Sequence, residues 1–72
     1  MSHIRTLLFQ RLLATGEEGV AKIRAEALEK GLDFNSHTVA TLFEKPIADV
    51  TTIERQEAKG LLFTYTYGTR AP

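Results

Sequence analysis

The chain has 72 residues and a mass of 8.0 kDa, which sets it at one domain, residues 1–72, with no room for a second core. A chain this small buries only roughly 60% of its unfolded surface. Having no cysteine and two histidines, it is left with neither disulfides nor a dedicated zinc site as a staple, so oligomerisation is the expected remedy. Nine basic residues balance nine acidic ones, so the net charge lends no support to nucleic-acid binding, and any such activity would need a local patch.

Gly16, Gly31, Pro46, Gly60 and Gly68 punctuate the chain. The first segment, Ser2 to Ala14, reads as a helix with Ser2 as its cap. Ile4, Leu7, Leu8, Phe9, Leu12 and Leu13 cover roughly 240° of its wheel, far more than the stripe of little over about 100° that a two-layer domain needs. The excess points to a dimer interface at Leu8, Phe9, Leu12 and Leu13. Arg11 interrupts this run and no small-residue cleavage site follows, so a signal peptide is not expected. No apolar run reaches about 18 residues, so neither is a membrane span. Together with the lack of cysteine, this favours a cytoplasmic protein.

Thr15-Gly16-Glu17-Glu18 has the spacing of a capping box opening a second helix to Lys30, with Glu17 and Glu18 at its positive end. Val20, Ile23, Ala27 and Leu28 form the inward stripe. Glu18 with Lys22, and Glu26 with Lys30, are favourable pairs one turn apart on a solvated face. Gly31 suits the left-handed position after the helix, with Leu32 folding back. Leu32-Asp33-Phe34 alternates as a brief strand would. Asn35 or Ser36 then caps a helix to about Lys45, where Pro46 disfavours further helical geometry; Val39, Leu42 and Phe43 face inward. A fourth helix starts near Val50, with Val50, Ile53 and Ala58 inward, and Gly60 closes it. Leu61 to Tyr67 alternates with period two and reads as a strand, leaving Gly68 to Pro72 as a tail. The strand needs a mate: Leu32–Phe34, the N-terminal segment, or its own copy in a second chain. The expected fold is mainly α, a small three- to four-helix domain with a minor C-terminal β element.

No Gly-rich phosphate loop, H-E-x-x-H or nucleophile constellation is present. His37 reads as a solvent-facing residue of a first helical turn and His3 as terminal. Catalysis, a metal and a cofactor are not expected.

The third and fourth helices carry the one pattern with functional content. With Ala40 at the small position of a helix-turn-helix, Val39, Phe43, Val50 and Ile53 fall on its apolar positions. Glu44 stands where the turn glycine belongs and Lys45 where an apolar residue is usual. The order Thr15–Lys30, Leu32–Phe34, Ser36–Lys45, Val50–Lys59, Leu61–Tyr67 resembles that of winged helix-turn-helix DNA-binding domains over residues 15 to 67. Gln56 replaces a core leucine, and the second wing strand is absent. The resemblance implies a small transcriptional regulator that binds double-stranded DNA. Thr51, Thr52 and Arg55 would read bases, and Lys45, Lys59 and Arg70 would meet phosphates. The alternative is a non-enzymatic protein–protein interaction module, an adaptor or inhibitor, acting through the apolar first helix and the C-terminal strand. A basic stripe through Lys45, Arg55, Lys59 and Arg70 would favour DNA; acids intermingled there would favour the interaction module.

Overall fold

A computed structural model describes residues 3–64. They form three α-helices, α1 (His3–Lys30), α2 (Phe34–Leu42) and α3 (Thr52–Phe63), with a 3₁₀ turn at Ile47–Asp49 between the last two. Each helix packs against the other two. Ser2, residues 65–67 of the expected strand and Arg70 lie outside the described residues.

The two helices expected on either side of Thr15 are two limbs of α1, bent at Gly16. Gly16 has φ 77° and ψ 173°, a backbone region that only glycine occupies without strain. The capping position therefore falls on Gly16, one residue later than expected. The Thr15 capping box does not form; the Thr15 methyl lies over Gly19 instead, in the space that a side chain there would need. The other end of α1 closes as expected: Gly31, at φ 67°, is left-handed, and the Leu32 amide donates back to the Ala27 carbonyl at 2.8 Å.

Leu32–Phe34 is not a strand. Asp33 caps α2 by accepting the Ser36 amide at 2.9 Å, ahead of the expected Asn35 or Ser36, and Phe34 is already helical. The helix ends at Leu42, before Pro46 can act, in a second left-handed closure. Glu44 takes φ 51°, while the Lys45 amide donates to the Ala40 carbonyl and the Glu44 amide to that of Thr41. Thr38 is fully buried and satisfies its hydroxyl by donating to the Phe34 carbonyl.

The last helix departs furthest from expectation. It starts at Thr52, passes through Gly60 and runs to Phe63, so Leu61–Phe63 is helix and not strand. The reason lies in two adjacent leucines. In a strand, Leu61 and Leu62 would point to opposite faces. In a helix, both join Glu54 and Ala58 on one side, where they are 6% and 3% exposed. That same choice turns Ile53 outward, 62% exposed, against the expectation that it would be core. Val50 packs at the core's edge. The core itself comprises Leu8, Leu12, Val20 and Ile23 of α1, Val39 and Leu42 of α2, and Ala58, Leu61 and Leu62 of α3.

Two glycine substitutions test this geometry by sign. Gly60 is exposed inside a helix, with ordinary room for a methyl group; Gly60→Ala should stabilise by about 0.5–1 kcal/mol. Gly16→Ala should cost about 1–3 kcal/mol, because alanine is strained at that backbone conformation. Thermal unfolding followed by circular dichroism reads both. A loss of stability in Gly60→Ala would mean the helix ends there after all.

Candidate interaction surface

The residues proposed to touch DNA are largely engaged by the fold. Thr51 is the N-cap of α3: its hydroxyl accepts the Glu54 amide at 3.1 Å, and the Glu54 carboxylate accepts the Thr51 amide at 2.9 Å. The same carboxylate takes Lys45 Nζ on both oxygens, at 2.7 and 2.8 Å. Glu54 is among the buried residues, so this cluster pins the loop after α2 to the start of α3. The Lys45 ammonium, followed by the Thr51 amide, holds the Glu54 carboxyl below its ordinary value.

Arg55 reaches Asp33 in a two-pronged pair, Nε to Oδ2 at 3.0 Å and Nη2 to Oδ1 at 3.3 Å. This pair, reinforced by the Ser36 amide, lowers the Asp33 carboxyl to about 2, and the Arg55 guanidinium is raised in turn. Acids therefore stand among the cations of the expected basic stripe. Thr52 and Lys59 are exposed, and Lys59 makes no ion pair among the described residues. The connection from Phe43 through Thr51 also carries the 3₁₀ turn, where a helix-turn-helix uses a turn of about 3–4 residues.

The proposed dimer residues divide in two. Leu8 and Leu12 are 0% exposed within one copy, so a folded chain cannot offer them to a partner: α2 and α3 already cover that side of α1. Phe9 and Leu13, one turn apart, remain 46% and 57% exposed. They form an apolar stripe on the outside of the first limb. Leu7, Leu28, Ile47, Ile53 and Phe63 are also more than a third exposed.

His37 is not the solvent-facing residue expected. Its side chain is 14% exposed, and Nε2 lies 3.2 Å from Glu26 Oε1, clipping α2 to the second limb of α1. Glu26 is thereby drawn away from the expected pairing with Lys30. Arg11 donates to the Leu42 carbonyl at 2.9 Å and stacks over Phe43; Arg24 stacks over Phe34. Sequence reasoning missed the roles of Asp33 and Glu54, which between them hold three of the proposed DNA contacts, Arg55, Lys45 and Thr51.

Among the described residues, no group of three or more His, Asp or Glu side chains could hold a metal ion, and no helix is long and apolar enough to cross a membrane. The fold and surface thus define a small three-helix protein with an outward apolar stripe. No protein-family model matches the chain, and no match is found among curated proteins or solved structures.

Proposed function

We propose that this protein is a non-enzymatic, cytoplasmic interaction module that docks through the outer stripe of α1, with a second copy of itself as the first occupant. The observation that carries the reading is the exposure of Phe9 and Leu13 on adjacent turns. Burying such side chains contributes about 1.5–3 kcal/mol each, and a domain of this size has little stability of its own to spare. Leu61–Phe63, the first part of the expected C-terminal strand, is helix and offers no strand edge to this docking. Sedimentation velocity over a concentration series tests the reading. The wild type should shift toward a dimer as concentration rises, and Phe9→Ser/Leu13→Ser should stay monomeric with unchanged helicity. A wild type that stays monomeric throughout would remove self-association.

A second reading, DNA binding by a helix-turn-helix, draws support from one specific feature. Glu44, at the place of the family's turn glycine, adopts the left-handed backbone that glycine supplies at no cost. Thr52 and Lys59 point outward from α3. Against this stand the long connection and the carboxylates on Lys45 and Arg55. Gel retardation at low salt separates the readings. DNA binding requires a shift at micromolar protein that Lys59→Ala weakens on every sequence, with a shallower salt dependence. The interaction module gives no shift.

A further inference from the structure

The bend at Gly16 leaves an open groove of about 690 Å³ along the inside of α1. Gln10, Arg11, Ala14 and Thr15 of the first limb line it. Gly19, Lys22, Ile23 and Glu26 of the second limb and Thr41 and Leu42 at the end of α2 complete it. Phe9 and Leu13 are not part of it.

We infer that this groove docks one acidic amphipathic helix from a partner protein, alongside α1 and α2. The inference rests on the reading of the protein as an interaction module and names a separate face and partner for it. Three observations support a helix as the occupant. The α1 lining runs from residue 10 to residue 26, a little over about four turns, or about 24 Å, of contour around the bend at about 1.5 Å per residue, far more than a compact small molecule spans. Its walls are helices, and the surfaces between them, at Ala14, Ile23 and Leu42, are aliphatic. Ala14 is exposed and carries only a methyl, so a partner can approach closely there, while the Thr15 methyl covers Gly19.

Charge sets the sign of the partner. Lys22 makes no hydrogen bond or ion pair among the described residues. The Arg11 guanidinium is held in place by the Leu42 carbonyl and the Phe43 ring, and neither contact neutralises it. Glu26, the one acid of the lining, already faces His37. Arg11 and Lys22 against the single Glu26 leave the lining with a net charge of +1 beside an apolar floor. An amphipathic helix with an apolar stripe flanked by carboxylates complements it in the helix-in-groove mode.

Two synthetic peptides of about 18 residues test this. Both carry leucines at i, i+4, i+7 and i+11. One has glutamates flanking the stripe, the other lysines at the same places. Fluorescence anisotropy should show the glutamate peptide binding at least about tenfold more tightly than the lysine peptide. Amide shifts of the labelled protein should concentrate at Ala14, Gly19, Lys22 and Thr41. Lys22 is exposed and makes no ion pair among the described residues, so Lys22→Glu should fold normally and lose or reverse the preference. The Phe9→Ser/Leu13→Ser variant should bind the glutamate peptide as the wild type does, which separates this groove from the self-association face. Failure of both peptides to bind, equal binding of the two, or shifts centred on Phe9 and Leu13 would overturn the groove as the docking site. The last result would leave the interaction module itself standing.

Discussion

Leu8→Ala should leave the chain largely unfolded at room temperature. Leu8 is completely buried where α1 meets the shared core, and it is among the largest side chains buried to that degree. Truncating such a leucine costs about 2–5 kcal/mol, the sum of lost transfer energy and the cavity left behind. A single core in a domain below about 70–80 residues rarely supplies more than about 3–5 kcal/mol in total. The substitution therefore consumes most or all of the stability. Leu12→Ala should behave alike, for Leu12 is equally buried one turn on. Leu13→Ala, on the outward side of the same turn, should change monomer stability by less than about 0.5 kcal/mol. Urea unfolding of the three variants, followed by helical circular dichroism, gives the comparison. Similar losses at all three positions would mean that the sides of α1 are wrongly distinguished.

Glu54→Ala should have the next largest effect, about 2–3 kcal/mol. It removes half of the α3 capping box, worth about 1 kcal/mol, and strands the Lys45 ammonium, whose side chain is only 27% exposed. Breaking a fully buried ion pair costs about 3–5 kcal/mol, and partial exposure here brings the figure down. Glu54→Gln keeps the shape and a capping side chain, so it should cost about 1 kcal/mol. The pH dependence follows from the direction of the shifts. Glu54 and Asp33 both have carboxyl pKa values lower in the fold than their ordinary 4.5 and 3.8, and Asp33 falls to about 2. In acid the unfolded chain takes up these protons first, so the stabilisation is full above about pH 5 and is lost as pH falls through 4 toward 2. The melting temperature should fall across that window in the wild type and less steeply in Asp33→Asn/Glu54→Gln. Parallel curves for the two proteins would show that these carboxylates do not set the acid limit.

Much of the fold was legible where the signal is local. The left-handed closure at Gly31 follows from spacing within one helix and stands in the structure, as does the inward stripe at Val20, Ile23 and Ala27; Leu28, expected to complete that stripe, instead faces outward, 84% exposed. The capping box was expected at Thr15-Gly16-Glu17-Glu18 and occurs instead at Thr51-Thr52-Ile53-Glu54, which has the same spacing. Choosing between the two depends on which residue leaves helical geometry, and the glycine at position 16 decided it. The alternation Leu61, Phe63, Tyr65 suggested a strand because period two was weighed without the adjacency of Leu61 and Leu62, which a one-sided core can bury together only in a helix. The width of the apolar arc on α1 was read correctly as an excess. A wheel cannot say which part of the arc the other helices cover, so Leu8 and Leu12 were grouped with Phe9 and Leu13. The ion pairs that occupy the proposed DNA contacts were out of reach for a related reason. Asp33 and Arg55 are 22 residues apart, and Lys45 and Glu54 are 9 apart across the turn after α2, so nothing in either local sequence announces the other.

The central claim is that two copies meet through the outside of the first limb of α1, and the absence of cysteine from the chain makes a direct distance measurement straightforward. Thr6→Cys and, in a second protein, Glu29→Cys place a single spin label beside that stripe or at the far end of α1, leaving Phe9 and Leu13 intact. Pulsed dipolar spectroscopy at a concentration where sedimentation shows association should give a short, narrow intermolecular distance for the label at position 6, and a longer one for the label at position 29. No intermolecular coupling at position 6, or a shorter distance at position 29 than at 6, would contradict the account.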